Sequence, residues 1–115
     1  MKLMIVDDNA RMRSMICRNV FGKAETEDVR ECEDGLDAVL AYDSFRPDWV
    51  VMDIEMRGLD GLAASRIIKQ YHPDAKIIIF TQYDDPEYRD MAAGIGVSKY
   101  ILKDQLVTIK DIVTQ

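Results

Sequence analysis

Short apolar runs alternate with segments of helical periodicity along the whole chain of 115 residues. Four of the runs contain no charged residue, and the first three of them along the chain are typical of strands that are covered on both faces of a sheet. These four runs are Leu3–Val6, Trp49–Met52, Ile77–Phe80 and Tyr100–Leu102. A fifth run, Val29–Cys32, carries two charged residues, which is typical of an edge strand. The pattern predicts five strands.

Each run is followed by apolar residues that recur at intervals of three or four, the spacing of one helix face. The five predicted apolar stripes are Met12, Met15, Ile16 and Val20; Leu36, Val39 and Leu40; Ala64, Ile67, Ile68 and Tyr71; Tyr88, Met91, Ala92 and Ile95; and Leu106, Ile109, Ile112 and Val113. In the first helix Arg13 is one of the polar residues on the other faces. The fourth helix has a clear start, since Asp85 can cap it and Pro86 suits its first position.

Five successive strand–helix units predict an α/β fold, a doubly wound five-stranded parallel sheet with five helices. The length suits one domain, residues 1–115. In such sheets ligands bind outside the carboxyl ends of the strands, where the strand order reverses. Functional residues are therefore expected where the strands end.

Charge and hydropathy exclude several function classes. The formal net charge of −6 argues against direct nucleic-acid binding, which needs clustered Lys and Arg. No apolar run approaches the roughly 20 residues of a membrane span, and the apolar start is too short for a signal peptide. Cys17, Cys32 and the single histidine, His72, have no zinc-site spacing. Two buried, reduced thiols in a cytoplasmic protein are expected.

Charged or hydroxyl side chains follow four of the predicted strands. The residues at these positions are Asp7 and Asp8, Asp53, Thr81, and Lys103. Each has an ordinary explanation when taken singly, as a helix cap, a strand end or a solvated lysine. Those explanations do not account for three carboxylates, a hydroxyl and an ammonium at the same edge of one sheet.

Such a cluster of carboxylates favours a bound cation. Two carboxylates about 5 Å apart repel each other by roughly 3 kcal/mol at an effective dielectric of about 20. Three of them would take up a proton or bind a metal. Oxygen ligands suit Mg²⁺, which commonly takes one or two carboxylates together with phosphate oxygens. The site therefore suits phosphoryl transfer, with a carboxylate as the attacking group and Lys103 neutralising charge.

The same positions carry a resemblance to the receiver domains of bacterial two-component response regulators, over the whole chain. The matching stretches are Ile5–Asp8, Glu33–Val39, Asp48–Met56, Gly58–Gly61, Ile79–Thr81 and Tyr100–Lys103. Any one stretch is a weak signal, but together and in this order they are specific. The resemblance implies a flavodoxin-like sheet with the strand order 2-1-3-4-5.

The resemblance also implies a role for each residue of the acidic site. Asp53 resembles the phosphoacceptor of the family. Asp8 and Asp53 resemble direct Mg²⁺ ligands, Asp7 a ligand through water, and Glu55 a ligand through its backbone carbonyl. Lys103 resembles the lysine that pairs with the phosphate.

Two further matches concern signalling. Thr81 resembles the hydroxyl that moves onto the phosphate. Tyr100 resembles the aromatic residue that then turns inward and reshapes the surface of helix 4, strand 5 and helix 5, although an ordinary half-buried tyrosine would also suit this position. The implied partners are a histidine kinase or phosphotransfer protein, and a downstream target or output domain. Such a chain catalyses only its own phosphorylation and dephosphorylation.

Three positions depart from the pattern of the family. Asp104 follows Lys103 where many receivers have proline, which leaves open whether the bond between them is cis. Arg57 stands where proline is common, and Gln82 stands where a small residue is usual. Gln82 and the neighbouring Tyr83 are expected to limit access to the phosphate.

Other functions stay open at this level. The main alternative is a receiver-like interaction domain that acts without phosphorylation. A haloacid-dehalogenase-like phosphatase needs an Asp-x-Asp-Gly-Thr motif, whereas Met56 and Arg57 follow the acids here. An FMN-binding module needs a Ser/Thr/Gly-rich phosphate loop where Asp7 and Asp8 lie. A stand-alone receiver and a receiver excised from a DNA-binding regulator are both compatible with the sequence.

Overall fold

A computed structural model describes residues 1–115 and contains one parallel five-stranded sheet. The strands are β1 (Leu3–Val6), β2 (Val29–Cys32), β3 (Trp49–Met52), β4 (Ile77–Thr81) and β5 (Lys99–Leu102). The helices are α1 (Ala10–Phe21), α2 (Gly35–Phe45), α3 (Gly61–Tyr71), α4 (Pro86–Ile95) and α5 (Thr108–Val113). The order β2-β1-β3-β4-β5 confirms the predicted flavodoxin-like α/β fold. No helix is long and apolar enough to cross a membrane.

The sheet separates two apolar clusters, because the central strands bury side chains on both faces. In β1, Met4 and Val6 join the cluster under α2, α3 and α4. Leu3 and Ile5 alternate with them and join the cluster under α1 and α5. All four are at most 1% exposed, and each such aliphatic side chain contributes about 1.5–3 kcal/mol by leaving water.

The two cysteines are free and buried, as predicted. Cys17 lies in the cluster under α1 and α5, and Cys32 lies in the cluster on the other face of the sheet. Burial raises the pKa of the Cys32 thiol to about 11. A thiol with so high a pKa carries little thiolate at neutral pH, so its environment favours an inert core residue.

The apolar stripe predicted for the second helix is wrong for its two leucines, whereas Val39 packs against the core. Leu36 and Leu40 are 58% and 70% exposed. The buried face of α2 consists of Gly35, Ala38, Ala41 and Tyr42. The helix lies so close to the chain before α3 that a Cβ on Gly35 would collide with the Leu59 carbonyl. Small residues therefore face inward over the first two turns of α2, Tyr42 is buried further along the helix, and the leucines point to solvent.

Smaller errors affect the edges of three other stripes. Met15 of α1, Tyr71 of α3 and Met91 of α4 are 45%, 73% and 44% exposed. Each of these helices still buries the centre of its predicted stripe, with Ile16, Ile68 and Ala92 as the buried residues. The predicted helical period is therefore correct, but the buried face of each helix is narrower than the stripe.

The helix starts leave the acidic residues available for a site. Asn9, rather than Asp8, caps α1, since its side chain accepts a hydrogen bond from the Met12 amide. Asp85 caps α4 as predicted, and Pro86 is the first residue of that helix. The carboxylate of Asp8 is therefore not used as a helix cap.

Candidate functional site

The carboxyl ends of β1, β3 and β5 bring three carboxylates and an ammonium together. One oxygen from each of Asp7, Asp8 and Asp53 lies within 4.8 Å of the others. The Lys103 Nζ lies 3.0 Å from Asp7 Oδ2 and 3.4 Å from Asp53 Oδ2. The acids meet because β1 and β3 are adjacent and in parallel register, with Val6 beside Met52.

These side chains line a cavity of about 210 Å³. Asp7 and Asp53 are 1% and 6% exposed, whereas Asp8 faces solvent. The complete lining is Asp7, Asp8, Asn9, Asp53, Glu55, Gln82, Tyr83 and Lys103. The structure therefore brings together every predicted site residue except Thr81 and Tyr100, which do not line this cavity.

The electrostatics of the cavity leave negative charge uncompensated. Burial, and next the charge of Asp7, raise the pKa of Asp53 to about 6, against the opposing effect of Lys103. Burial alone would lower the pKa of Lys103, but its contacts with Asp7 and Asp53 outweigh burial and raise it. One ammonium thus faces three carboxylates. An oxygen-lined, open and negatively charged cavity fits a divalent cation such as Mg²⁺, which retains waters when bound.

The backbone around Asp53 is held by the start of α3. The Ile54 amide donates to Asp53 Oδ1 at 2.9 Å, and the Gly61 amide donates to the Ile54 carbonyl at 2.8 Å. A Cβ on Gly61 would collide with the Asp53 carbonyl. Asp60 caps the helix by accepting from the Ala63 amide. The Asp60-Gly61 pair therefore lets α3 begin directly against the residue that bears the central carboxylate.

A hydrogen bond crosses one side of the cavity mouth. The Tyr83 hydroxyl donates to Glu55 Oε2 at 3.1 Å, which joins the loop after β4 to the loop after β3. Gln82 and Tyr83 both line the cavity, in agreement with the position predicted for them. The bond between Tyr83 and Glu55 was not predicted, because residues 28 positions apart carry no local signal of contact.

Thr81 and Tyr100 are linked to the site through the backbone of Tyr83. Thr81 is 1% exposed, and its hydroxyl accepts a hydrogen bond from the Tyr83 amide at 3.2 Å. The Tyr100 hydroxyl donates to the Tyr83 carbonyl at 2.6 Å. A displacement of the loop after β4 would therefore be felt by both side chains.

Arg89 contacts Tyr100, a pairing that was not predicted. The guanidinium of Arg89 lies 4.4 Å from the centroid of the Tyr100 ring. Its Nε also lies 2.7 Å from Asp84 Oδ1. A lone arginine on an amphipathic helix is usually solvated, so no sequence signal marked it.

The three departures from the family pattern also have defined positions. The chain contains no cis peptide bond, so the bond between Lys103 and Asp104 is trans. Arg57 lines a second polar cavity together with Asp8, Glu33 and Asp34. Gln82 is exposed at the mouth of the acidic cavity.

Comparisons with known proteins agree with this fold. A family model described as the response regulator receiver domain matches residues 3–114. The chain is 46% identical over 103 residues to the chemotaxis protein CheY of Listeria monocytogenes, covering 90% of this chain and 86% of that protein. It is 33% identical over 103 residues to the transcriptional regulatory protein DegU of Brevibacillus brevis, covering 90% of this chain but only 44% of that protein.

A solved structure shows the same fold at lower sequence similarity. The Vibrio cholerae chemotaxis protein CheY4 superposes with a TM-score of 0.86 at 21% identity, covering 98% of this chain and 95% of that chain. The match to the family model extends over nearly the whole chain, and the Listeria relative is matched over most of its own length. The chain therefore belongs to the response regulator receiver domains of two-component systems.

Proposed function

We propose that the chain is a phosphorylation switch in which Asp53 accepts a phosphoryl group in a Mg²⁺-dependent step. The observation that carries the proposal is the cluster of Asp7, Asp8 and Asp53 with Lys103 bonded to two of them. The donor would be a histidine kinase, a phosphotransfer protein or a small phosphodonor. The chain would act in the cytoplasm and catalyse only its own phosphorylation and dephosphorylation.

In the proposed reaction a carboxylate oxygen of Asp53 attacks the phosphorus atom in line. The new bond joins that oxygen to phosphorus, and the bond from phosphorus to the leaving group breaks with its electron pair. The pKa of about 6 leaves Asp53 ionised and nucleophilic at neutral pH. Burial excludes water from the inner side of this carboxylate, which is 6% exposed as a residue.

The other residues of the cavity would stabilise the transferring group. Lys103 already lies between Asp7 and Asp53, so its ammonium can follow the negative charge from Asp53 to the phosphoryl oxygens. Asp8 and Asp53 would hold Mg²⁺ directly, Asp7 through water, and Glu55 through its backbone carbonyl. When bound, Mg²⁺ would supply neutralisation of the charge on the phosphoryl oxygens.

The test of the proposal is incubation with acetyl phosphate and Mg²⁺, followed by intact mass spectrometry. We expect the mass to increase by one phosphoryl group in the presence of Mg²⁺ and to stay unchanged in EDTA. A chain that binds Mg²⁺ but is not labelled would favour the alternative function, a receiver-like interaction domain that acts without phosphorylation.

Switching is expected to require the hydroxyl of Thr81. A ligand shifts an equilibrium only through contacts that differ between the two states. One hydrogen bond of about 1 kcal/mol corresponds to roughly a fivefold shift. Thr81→Ala should therefore accept beryllofluoride, a stand-in for the phosphoryl group, yet give clearly smaller amide shift changes on α4, β5 and α5.

Thr81→Ser is the matched control, because it keeps the hydroxyl and removes only a methyl group. NMR spectra with and without beryllofluoride and Mg²⁺ provide the measurement. Changes around Tyr100 that are as large in Thr81→Ala as in wild type would contradict the proposed coupling.

Gln82 is expected to slow the loss of the phosphoryl group. Gln82 and Tyr83 line the cavity mouth, and Tyr83 is tied to Glu55, so both side chains crowd the solvent side of Asp53. Gln82→Ala should shorten the lifetime of phospho-Asp53 several-fold, or by about 1 kcal/mol in barrier. The competing effect is that Gln82 orients an attacking water, which would make the variant longer-lived.

The decay is measured by mass spectrometry after removal of the donor. Gln70→Ala, an exposed substitution on α3, is the control and should decay like wild type. An unchanged or longer lifetime in Gln82→Ala would show that Gln82 is not a shield.

A further inference from the structure

Arg13 of α1 contacts the acidic site through the backbone carbonyl of Asp7. Its Nη1 donates to the carbonyl oxygen of Asp7 at 2.7 Å. Its Nε donates to Glu31 Oε1, at the end of β2, at 2.9 Å. The Arg13 side chain is 15% exposed, against 40% for Glu31. One guanidinium thus joins α1, the end of β1 and the end of β2.

The Asp7 carbonyl belongs to the peptide group that connects Asp7 to Asp8. A peptide group is planar and its plane contains the Cα atoms of both residues. Holding the direction of this carbonyl therefore holds the backbone orientation of both Asp7 and Asp8. The remaining polar groups of Asp7 have other partners. Its amide donates to the Cys32 carbonyl at 3.0 Å, and its Oδ1 accepts from the Asn9 amide at 2.9 Å. Arg13 donates the hydrogen bond to the Asp7 carbonyl.

We propose that Arg13 is a positioning residue for the divalent cation, acting by holding the plane of the Asp7–Asp8 peptide. The fork of the guanidinium suits this task because one edge binds the carbonyl while Glu31 holds the neighbouring nitrogen. Partners that orient metal ligands in this way commonly change metal affinity 10- to 100-fold when removed. The inference rests on the proposed Mg²⁺ site.

The direction of the change in Mg²⁺ affinity when Arg13 is replaced distinguishes a positioning role from a purely electrostatic one. Arg13 is a cation close to a site that would bind another cation, so its charge by itself weakens binding. If charge were its only influence, neutralising Arg13 would tighten Mg²⁺ binding. Loss of positioning gives the opposite result, because Asp7 and Asp8 must then be ordered when the cation binds.

The test is titration of the intact chain with MgCl₂ at low ionic strength. Backbone amide NMR shifts monitor the titration and give the Kd for Mg²⁺. Arg13→Met should raise the Kd for Mg²⁺ about tenfold. Arg13→Lys keeps the charge but lacks the fork, so it should also raise the Kd. Arg11→Met removes an exposed charge from the same helix and should leave the Kd unchanged or slightly lower.

Glu31→Gln keeps an acceptor for Arg13 Nε but removes a negative charge, so charge and positioning both act to raise the Kd and the variant serves only to compare magnitudes. A smaller increase in Kd is expected. The unfolding free energy without metal is measured for each variant, since a merely structural role lowers stability without changing the Kd of the folded protein. If Arg13→Met does not fold, Arg13→Lys decides.

The outcomes distinguish the inference from the function on which it rests. An Arg13→Met protein that is folded and binds Mg²⁺ as tightly as wild type, or more tightly, overturns the positioning role. The positioning role is also overturned if Arg13→Lys is the only folded variant and its Kd is unchanged. A wild-type chain that shows no Mg²⁺-dependent shifts near Asp53 overturns the proposed metal site itself.

Discussion

Asp53→Asn is expected to abolish labelling by acetyl phosphate, with a rate at least about a thousandfold below wild type, or about 4 kcal/mol in barrier. The amide keeps the shape of the side chain and an acceptor for the Ile54 amide, which donates to Asp53 Oδ1. It lacks the anionic oxygen that would attack phosphorus. The variant therefore removes the nucleophile with little change in the geometry of the cavity.

Asp8→Asn tests the cation in the same assay. Asp8 is the solvent-facing member of the cluster, so its loss should weaken Mg²⁺ binding without removing the nucleophile. We expect slow labelling that is partly restored by high MgCl₂. Asp28→Asn, an exposed acid before β2, should be labelled like wild type. Equal labelling of Asp53→Asn, or labelling that survives removal of all divalent metal, would rule out the assignment of Asp53.

The second large effect concerns stability without metal. Asp53→Asn should raise the free energy of unfolding by about 2 kcal/mol at pH 8. Burial and the charge of Asp7 raise the pKa of Asp53 from 3.8 to about 6, so the ionised carboxylate destabilises the folded state. This difference in pKa bounds the effect at about 3 kcal/mol. Lys103 keeps its bond to Asp7 in the variant.

The pH dependence of the free energy of unfolding follows from the raised pKa of Asp53. A carboxyl whose pKa is higher in the folded than in the unfolded state binds its proton more tightly when folded. The destabilisation of wild type is therefore complete above pH 7 and fades as the pH falls from about 6 to 4. The advantage of Asp53→Asn should shrink over the same interval, as measured by urea unfolding at pH 8, 6 and 4.

Binding of Mg²⁺, like protonation of Asp53, should stabilise the folded state of wild type. Millimolar Mg²⁺ is expected to raise the Tm of wild type by mass action on the folded state and to have little effect on Asp8→Ala. Asp53→Ala should be about 1–2 kcal/mol more stable than wild type without metal. Asp8→Ala should gain less, because Asp8 faces solvent, which screens its charge. A wild-type Tm indifferent to Mg²⁺ would count against the cation site.

Much of the fold was predictable because it depends on local patterns. The apolar run Trp49–Met52 followed at once by Asp53 is visible in the sequence, and β3 begins and ends at the bounds of that run. The adjacent residues Asp85 and Pro86 predicted the start of α4, which the structure confirms. The strand order was available only from the resemblance to a family, since periodicity does not say which strands are neighbours.

The site was predictable in its membership but not in its contacts. Parallel strands end at one edge, so Asp7, Asp8, Asp53 and Lys103 could be placed together from the sequence. The bonds from Arg13 to the Asp7 carbonyl and from Arg89 to the Tyr100 ring could not, because arginines on helices have the same sequence signature whether solvated or bound.

The secondary structure, the strand ends and the identity of the acidic residues follow from the order of side chains along the chain, so the sequence predicts them. The rotation of each helix and the burial of each charge depend instead on how the elements pack. Leu36 and Leu40 have a helical spacing that would suit a buried face, yet the close approach of Gly35 to Leu59 turns them outward. The raised pKa of Asp53 likewise depends on burial and on Asp7, a residue brought near only by the pairing of β1 with β3.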